Sequence, residues 1–213
     1  MFSIQKMTLG PVATNTYLVA DPQAQEAVVI DPAAEGESIV KTARREGWDI
    51  QGIWLTHAHF DHFAGASGVL KELDKELSAL CYGLHPRDLP LWQMKGGSGM
   101  FGFDFDRGPE PNCQFEPGQE LKLGEFAFEV RYAPGHSEGH VMFFCPEESV
   151  LFSGDVIFQR GIGRTDLPGG DHQTLLESIR EQVFSLPDET KIYPGHGPET
   201  TVGAERQGNP FFR

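Results

Sequence analysis

One hexapeptide constrains this chain more than any other stretch: His57-Ala58-His59-Phe60-Asp61-His62. With eight His and twelve Asp in 213 residues, the pattern His-x-His-x-Asp-His arises by chance in roughly one such chain per thousand. Where the backbone is extended, residues two apart point the same way, so His57 and His59 can serve one metal ion. Asp61 and His62 fall where the period changes toward a helix, and their side chains can reach a neighbouring ion. Imidazole nitrogen and carboxylate oxygen are donors that suit zinc, iron or manganese.

Four ligands do not complete two sites. Three further candidates lie directly after strand-like segments: His136 after Tyr132-Ala133-Pro134-Gly135, Asp155 after Leu151-Phe152-Ser153-Gly154, and His196 after Ile192-Tyr193-Pro194-Gly195. Each follows a Gly, which permits a tight backbone turn at a strand end. Side chains emerging along one rim of a sheet can converge on a point.

The remaining pattern alternates strands and helices. Thr16 to Ala20 and Ala27 to Ile30 flank a polar turn at Asp21-Pro22-Gln23 and predict a hairpin. A helix is expected from Glu37 to Glu46, ended by Gly47, then a buried strand from Ile50 to Leu55. From His62 onward Ala66, Val69, Leu70, Leu73 and Leu77 predict one helical stripe, followed by a short strand over Ser78 to Tyr82. Residues 95–118, with six Gly and three Pro, read as a long loop, and Gly96-Gly97-Ser98-Gly99 as a flexible stretch overhanging the cleft; the Lys-Ser/Thr of a phosphate loop is missing. Phe126 to Tyr132, Val141 to Cys145 and Val150 to Ser153 predict strands. Asp171 is placed to cap a helix whose Leu175, Ile179, Val183 and Leu186 share a face, and Lys191 to Tyr193 forms a last strand. The pattern predicts two sheets with helices outside, in one domain over residues 1–213.

With their spacing in view, the residues carry a resemblance. His57-x-His59-x-Asp61-His62, then His136, Asp155 and His196, are similar to the sequence motifs of the metallo-β-lactamase superfamily, and Asp31 matches the first of them. The resemblance runs from about Asn15 onward and implies an α+β fold, an αβ/βα four-layer sandwich with the metals in a cleft at one edge. It implies that His57, His59 and His136 hold one ion, that Asp61, His62 and His196 hold a second, and that Asp155 bridges them; Asp61 and Asp155 thereby take part in catalysis. Gly135-His136-Ser137-Glu138-Gly139-His140, Gly154-Asp155-Val156-Ile157-Phe158 and Gly195-His196-Gly197-Pro198-Glu199-Thr200-Thr201 resemble glyoxalase II-like hydrolases. Gly161-Ile162-Gly163-Arg164-Thr165-Asp166 and Asn209-Pro210-Phe211 resemble a short bacterial hydroxyacylglutathione hydrolase branch, the YcbL-like type. Larger glyoxalase II enzymes carry a C-terminal helical domain that contacts glutathione, whereas 17 residues follow His196 here. Arg164 sits where the family places a basic residue and is a candidate anion contact.

The implied activity is hydrolysis of a small thioester such as S-D-lactoylglutathione by a hydroxide bridging two divalent ions, most simply zinc. A lactonase is an alternative on the same fold. So is a persulfide dioxygenase with one iron, since Gly163-Arg164-Thr165-Asp166 resembles that family too. No Gly-x-Ser-x-Gly elbow is present to supply a serine nucleophile.

Composition narrows the partners. A formal net charge of −14 argues against nucleic acid and against an anionic membrane surface, both of which need a basic face, and leaves a small-molecule substrate. Three cysteines (Cys81, Cys113, Cys145) with no CxxC spacing predict neither a disulfide framework nor a cysteine metal site. The N-terminal segment lacks a cationic patch before an apolar core, no apolar run approaches the ~20 residues of a span, and a cytoplasmic protein is expected. His140 is expected to support the site without ligating, His85 and His172 to start helices, and Trp48, Trp54 and Trp92 to be core or surface aromatics.

Overall fold

The computed structural model describes residues 1–212. Strands β1 (Ser3–Leu9), β2 (Thr14–Asp21) and β3 (Glu26–Ile30) form an antiparallel meander. Helix α1 (Gly36–Glu46) ends where Gly47 turns left-handed (φ 75°), a conformation that a residue without Cβ adopts freely. It returns the chain to β4 (Asp49–Trp54), parallel to β3. Helices α2 (Phe60–Phe63) and α3 (Ala66–Leu73), strand β5 (Cys81–Leu84), helix α4 (Leu89–Gln93) and strand β6 (Cys113–Gln114) complete a six-stranded sheet ordered β1-β2-β3-β4-β5-β6.

The second half runs through β7 (Glu120–Leu123), β8 (Phe126–Tyr132), β9 (Val141–Cys145), β10 (Val150–Gly154), a small ribbon of β11 (Ile157–Phe158) and β12 (Gly161–Ile162), α5 (His172–Ser178), β13 (Lys191–Pro194), β14 (Thr200–Thr201) and α6 (Val202–Gly208). Its sheet is ordered β14-β13-β10-β9-β8-β7. Asp171 caps α5 as expected, its carboxylate accepting the Thr174 N–H at 2.7 Å.

Side-chain alternation decides the layering. On β2, Tyr17 and Val19 join Val141, Phe143 and Phe152 between the sheets, while Leu18 and Ala20 face Ile39, Val40 and Ala43 of α1. On β9, Met142 and Phe144 turn outward to Leu175, Ile179 and Val183. Strands buried on both faces read as continuous apolar runs, and the result is the four-layer αβ/βα sandwich. Trp54, 2% exposed, ties the sheets together by edge contact with Phe128 (5.3 Å, 73°).

Four local expectations need correction. The single helix from His62 to Leu77 is divided into α2 and α3 at Gly65, whose N–H donates to Pro32 O at 2.8 Å and where a Cβ would collide with the Ala34 backbone. Asp74, at φ 50°, ends α3, and Leu77 lies in a 3-10 turn over Leu77–Ala79. The strand expected from Ser78 begins at Cys81. The long loop contains a 3-10 segment, Lys95–Phe101, and β6. Strand β1 was not anticipated, because its apolar residues Ile4, Met7 and Leu9 do not keep a period of two.

Candidate metal centre

Seven polar side chains converge at one edge of the sandwich, and the two sheets share their supply. His57 and His59 lie in the extended segment after β4, and Asp61 and His62 on α2; His136 follows β8, Asp155 follows β10 and His196 follows β13. Three trios have one ligand atom per residue within 4.8 Å of the others: His57 with His59 and His136, Asp61 with His62 and His196, and, behind these, Asp31 with His57 and His62; the first two face the cleft. In the first trio His136 Nε2 lies 2.8 Å from His59 Nδ1 and 3.2 Å from His57 Nε2. Asp155 touches both cleft trios: Oδ1 is 3.4 Å from His62 Nε2, and Oδ2 is 3.6 Å from His136 Nε2 and 3.5 Å from His196 Nε2. Asp61 Oδ2 stands 3.5 and 3.3 Å from the Nε2 atoms of His62 and His196.

Hydrogen bonds on the far side of each ring fix which nitrogen faces inward. His136 Nδ1 donates to the Arg164 carbonyl at 2.7 Å, and His62 Nδ1 to Asp31 Oδ2 at 2.9 Å. The Thr56 hydroxyl donates to Asp31 Oδ2 at 2.7 Å and accepts from His57 Nδ1 at 3.0 Å. All three rings therefore turn Nε2 toward the centre, the arrangement by which backbone and carboxylate partners orient metal-binding imidazoles. Asp31, at φ 50°, also accepts the Thr56 N–H.

The electrostatics follow from burial. Burial holds His57 and His136 below the ordinary imidazole range, and His59 at about 3. Burial opposes the charged form of His62 too, but the carboxylates of Asp155, Asp61 and Asp31 outweigh it and push that ring well above its usual value. Burial alone would raise Asp61; His62, His196 and Thr14 outweigh it and bring the carboxyl to about 2. Asp155 lies far below the carboxylate range for the same reason, with His62 the leading partner. The donor set fits divalent cations: imidazoles kept neutral by burial at His57, His59 and His136, rings at His62 and His196 set among carboxylates that favour positive charge, ionised carboxylates, and two buried inward atoms, His62 Nε2 and Asp155 Oδ1, that make no hydrogen bond.

Arg164 lines a cavity of about 320 Å³ with His59, Asp61, His136, Asp155 and His196, its half-exposed guanidinium in a two-bonded pair with Asp166 (2.7 and 2.8 Å). His140 belongs to none of the trios. It stacks on His57 (4.7 Å, 19°) and accepts the Asp155 N–H at 3.0 Å. His172 opens α5, and His85 caps the turn at Pro86–Asp88, accepting the Arg87 N–H.

Several supporting residues are absent from the sequence reading. Thr14 Oγ1 donates to Asp61 Oδ2 at 2.7 Å. Asn15 donates to the carbonyls of Pro194 and Gly197 and so steadies the His196 loop. Asp88, 1% exposed, accepts the N–H groups of Ala58 (2.9 Å) and Gly139 (2.6 Å) and the Ser137 hydroxyl (2.8 Å). One carboxylate thus ties the His57–His62 segment to the His136 loop. Asp88→Ala leaves two buried N–H groups unpaired, and metal affinity is expected to fall about 10- to 100-fold, with a stability loss of about 2–4 kcal/mol. Metal titration and thermal unfolding measure both.

The family model of the metallo-beta-lactamase superfamily matches residues 9–196. The chain is 39% identical to the probable metallo-hydrolase YqgX of Bacillus subtilis, over 98% of this chain and 96% of that one. It is 36% identical to the hydroxyacylglutathione hydrolase GloC of Haemophilus influenzae, over 93% and 92%. Among solved structures it resembles the BLEG-1 B3 metallo-beta-lactamase (TM-score 0.90, 37% identity, 99% of both chains) and TTHA1623 in a di-iron-bound form (0.87, 40%, 97% and 99%). ETHE1 from Myxococcus xanthus is more distant (0.79, 27%, 98% and 83%). No helix among the described residues is long and apolar enough to cross a membrane. Fold, convergent His and Asp side chains and matched relatives agree: the chain belongs to the metallo-beta-lactamase superfamily.

Proposed function

We propose that this protein is a dinuclear metal-dependent hydrolase of small thioesters, for which S-D-lactoylglutathione is the first substrate to assay. One observation carries the reading: Asp155 reaches toward His62 and His196 on one side and His136 on the other, joining two complete trios instead of serving one. His57, His59 and His136 would hold one ion and Asp61, His62 and His196 the other. Zinc suits this donor set, and iron stands second because the TTHA1623 structure is described as di-iron-bound. Bound there, such ions would supply ionised water at neutral pH and polarise the scissile carbonyl.

The protein's own groups set the rest. The carbon–sulfur bond breaks as the water oxygen bonds to the acyl carbon; the sulfur leaves with the bond pair and takes one water proton, the other passing to solvent. A carboxylate and a thiol result. Asp61 stays ionised at neutral pH, so it orients rather than donates protons, and Thr14 Oγ1 fixes its carboxylate. Arg164 lines the cavity and is the candidate contact for an anionic thiol carrier. The 36% likeness to the GloC hydroxyacylglutathione hydrolase supports the thioester class.

Removal of metal by a strong chelator is expected to abolish hydrolysis and lower Tm by about 10 °C. Binding to the folded state at a thousand times Kd contributes about 4 kcal/mol, and a domain of this size loses roughly 2–4 °C per kcal/mol. Calorimetry with and without chelator, and after zinc is restored, is the check. The second reading, a one-iron persulfide dioxygenase, draws on the Gly163–Asp166 resemblance and the likeness to ETHE1. One iron per chain with oxygen uptake on glutathione persulfide would replace the hydrolase by it.

A further inference from the structure

We propose that the acyl half of the substrate is an apolar chain of several carbons, seated in a cavity beside His59. The inference rests on the thioester reading above and specifies its substrate. The cavity measures about 350 Å³, a volume typical of small-molecule sites, and is walled by Leu91, Met94, Met100, Phe101, Leu167 and Pro168. His59 is the single polar side chain on its lining, and His59, Gly96, Phe101 and Leu167 also line the cavity that holds Asp61, Asp155 and His196. The two spaces therefore meet at the proposed metal centre.

The surface points to the same place. Seven large apolar side chains are exposed among the described residues, and five of them, Val12, Met94, Met100, Phe101 and Phe103, line one or both of these cavities. Apolar groups gathered at one mouth mark a binding surface rather than chance exposure. The wall is held against the motif segment. Gly96 is left-handed (φ 60°), and a Cβ there would run into the backbone of Ala58 and Phe60, while the Phe60 ring stacks on Phe103 at 5.3 Å.

The chemistry of a thioester then divides between the two spaces. Thiol carriers such as glutathione are polar and charged, and burial against Leu, Met and Phe would strand their hydrogen-bonding groups. Apolar side chains wall both spaces, Phe60, Phe101, Phe103 and Leu167 among them in the one with Arg164, but only that one also offers polar partners beyond His59; the carrier belongs there and the acyl chain in the other. Two methionines on its rim give a wall that adapts to chain length.

The test has two arms. On metal-loaded protein, kcat/KM for S-acetyl-, S-butanoyl-, S-hexanoyl- and S-octanoylglutathione is expected to rise roughly threefold per methylene until the cavity is full, with S-D-lactoylglutathione below the hexanoyl ester. On metal-free protein, calorimetry is expected to show S-hexylglutathione, a thioether that cannot be hydrolysed, binding more tightly than S-methylglutathione. Met94 and Met100 are 64% and 66% exposed, so Met94→Ser/Met100→Ser spares the core; it is expected to cut the hexanoyl-to-acetyl ratio about tenfold. A flat or falling series with equal thioether binding overturns the acyl assignment and leaves the thioesterase reading intact. A clear preference for the hexyl thioether without hydrolysis of any ester supports the apolar-chain site and overturns the thioester reading.

Discussion

Asp155→Ala is expected to bind at most one ion per chain and to hydrolyse its thioester on the order of a thousandfold more slowly. Changes to residues that merely orient ligands cost about 10- to 100-fold, and Asp155 is placed between both trios. Its two oxygens lie within 3.4–3.6 Å of three imidazole nitrogens drawn from the two groups, so alanine removes a candidate ligand atom from each and one negative charge shared between them. The loop should keep its course, because the backbone N–H that docks on His140 is unaffected by the substitution. Metal analysis alongside turnover separates the cases, and Asp155→Asn, which keeps the shape without the charge, divides geometry from electrostatics. A variant that keeps two ions and normal turnover would end the dinuclear reading.

Gly195→Ala is expected to lower turnover about a hundredfold and stability by about 1–3 kcal/mol, an overpacking effect. A methyl group there would overlap Asp155 Oδ1 and stand 2.7 Å from His62 Cε1. Two elements of the centre must move apart to admit it. Gly195 is not among the glycines with positive φ, so backbone strain plays no part and the loss should appear in metal occupancy and kcat. Denaturant titration with parallel metal analysis checks the result, and wild-type occupancy and turnover would show that the pocket has slack absent from the structure.

These two sites show what could be read from the sequence and what could not. The seven candidate ligands were legible because chemistry concentrates rare residue types at strand ends, and the structure gathers all seven. The Gly before each late ligand was legible too, but its reason was only partly so. Gly135 (φ 124°) and Gly154 (φ 48°) do need a conformation open to glycine, whereas Gly195 is required by what its neighbours occupy. Packing of that kind has no local signature. Asp88 has none either: after His85-Pro86-Arg87 it looks like an ordinary helix start, and its hold on Ala58, Ser137 and Gly139 exists only once residues 30 to 51 positions away have come together. Thr14, Asn15 and Thr16 are the nearest thing to a missed signal, three polar residues opening the otherwise apolar run Tyr17-Leu18-Val19-Ala20, and all three are buried. Helix continuity from His62 to Leu77 was overstated because the stripe persists across Gly65, where contact with Pro32 and Ala34 bends the chain.

The His196 loop is fastened across the seam of the sandwich. Asn15 N–H donates to Gly195 O at 2.7 Å, and the Tyr17 hydroxyl donates to Pro194 O at 2.6 Å. For an ion pair held as proposed, this sets an order of assembly. A ribosome must have passed residue 196 before the last imidazole exists, and β2 must already be waiting to receive it. Capture of both ions therefore waits on the joining of the two sheets, and a nascent chain halted before residue 196 has no way to sequester the full pair.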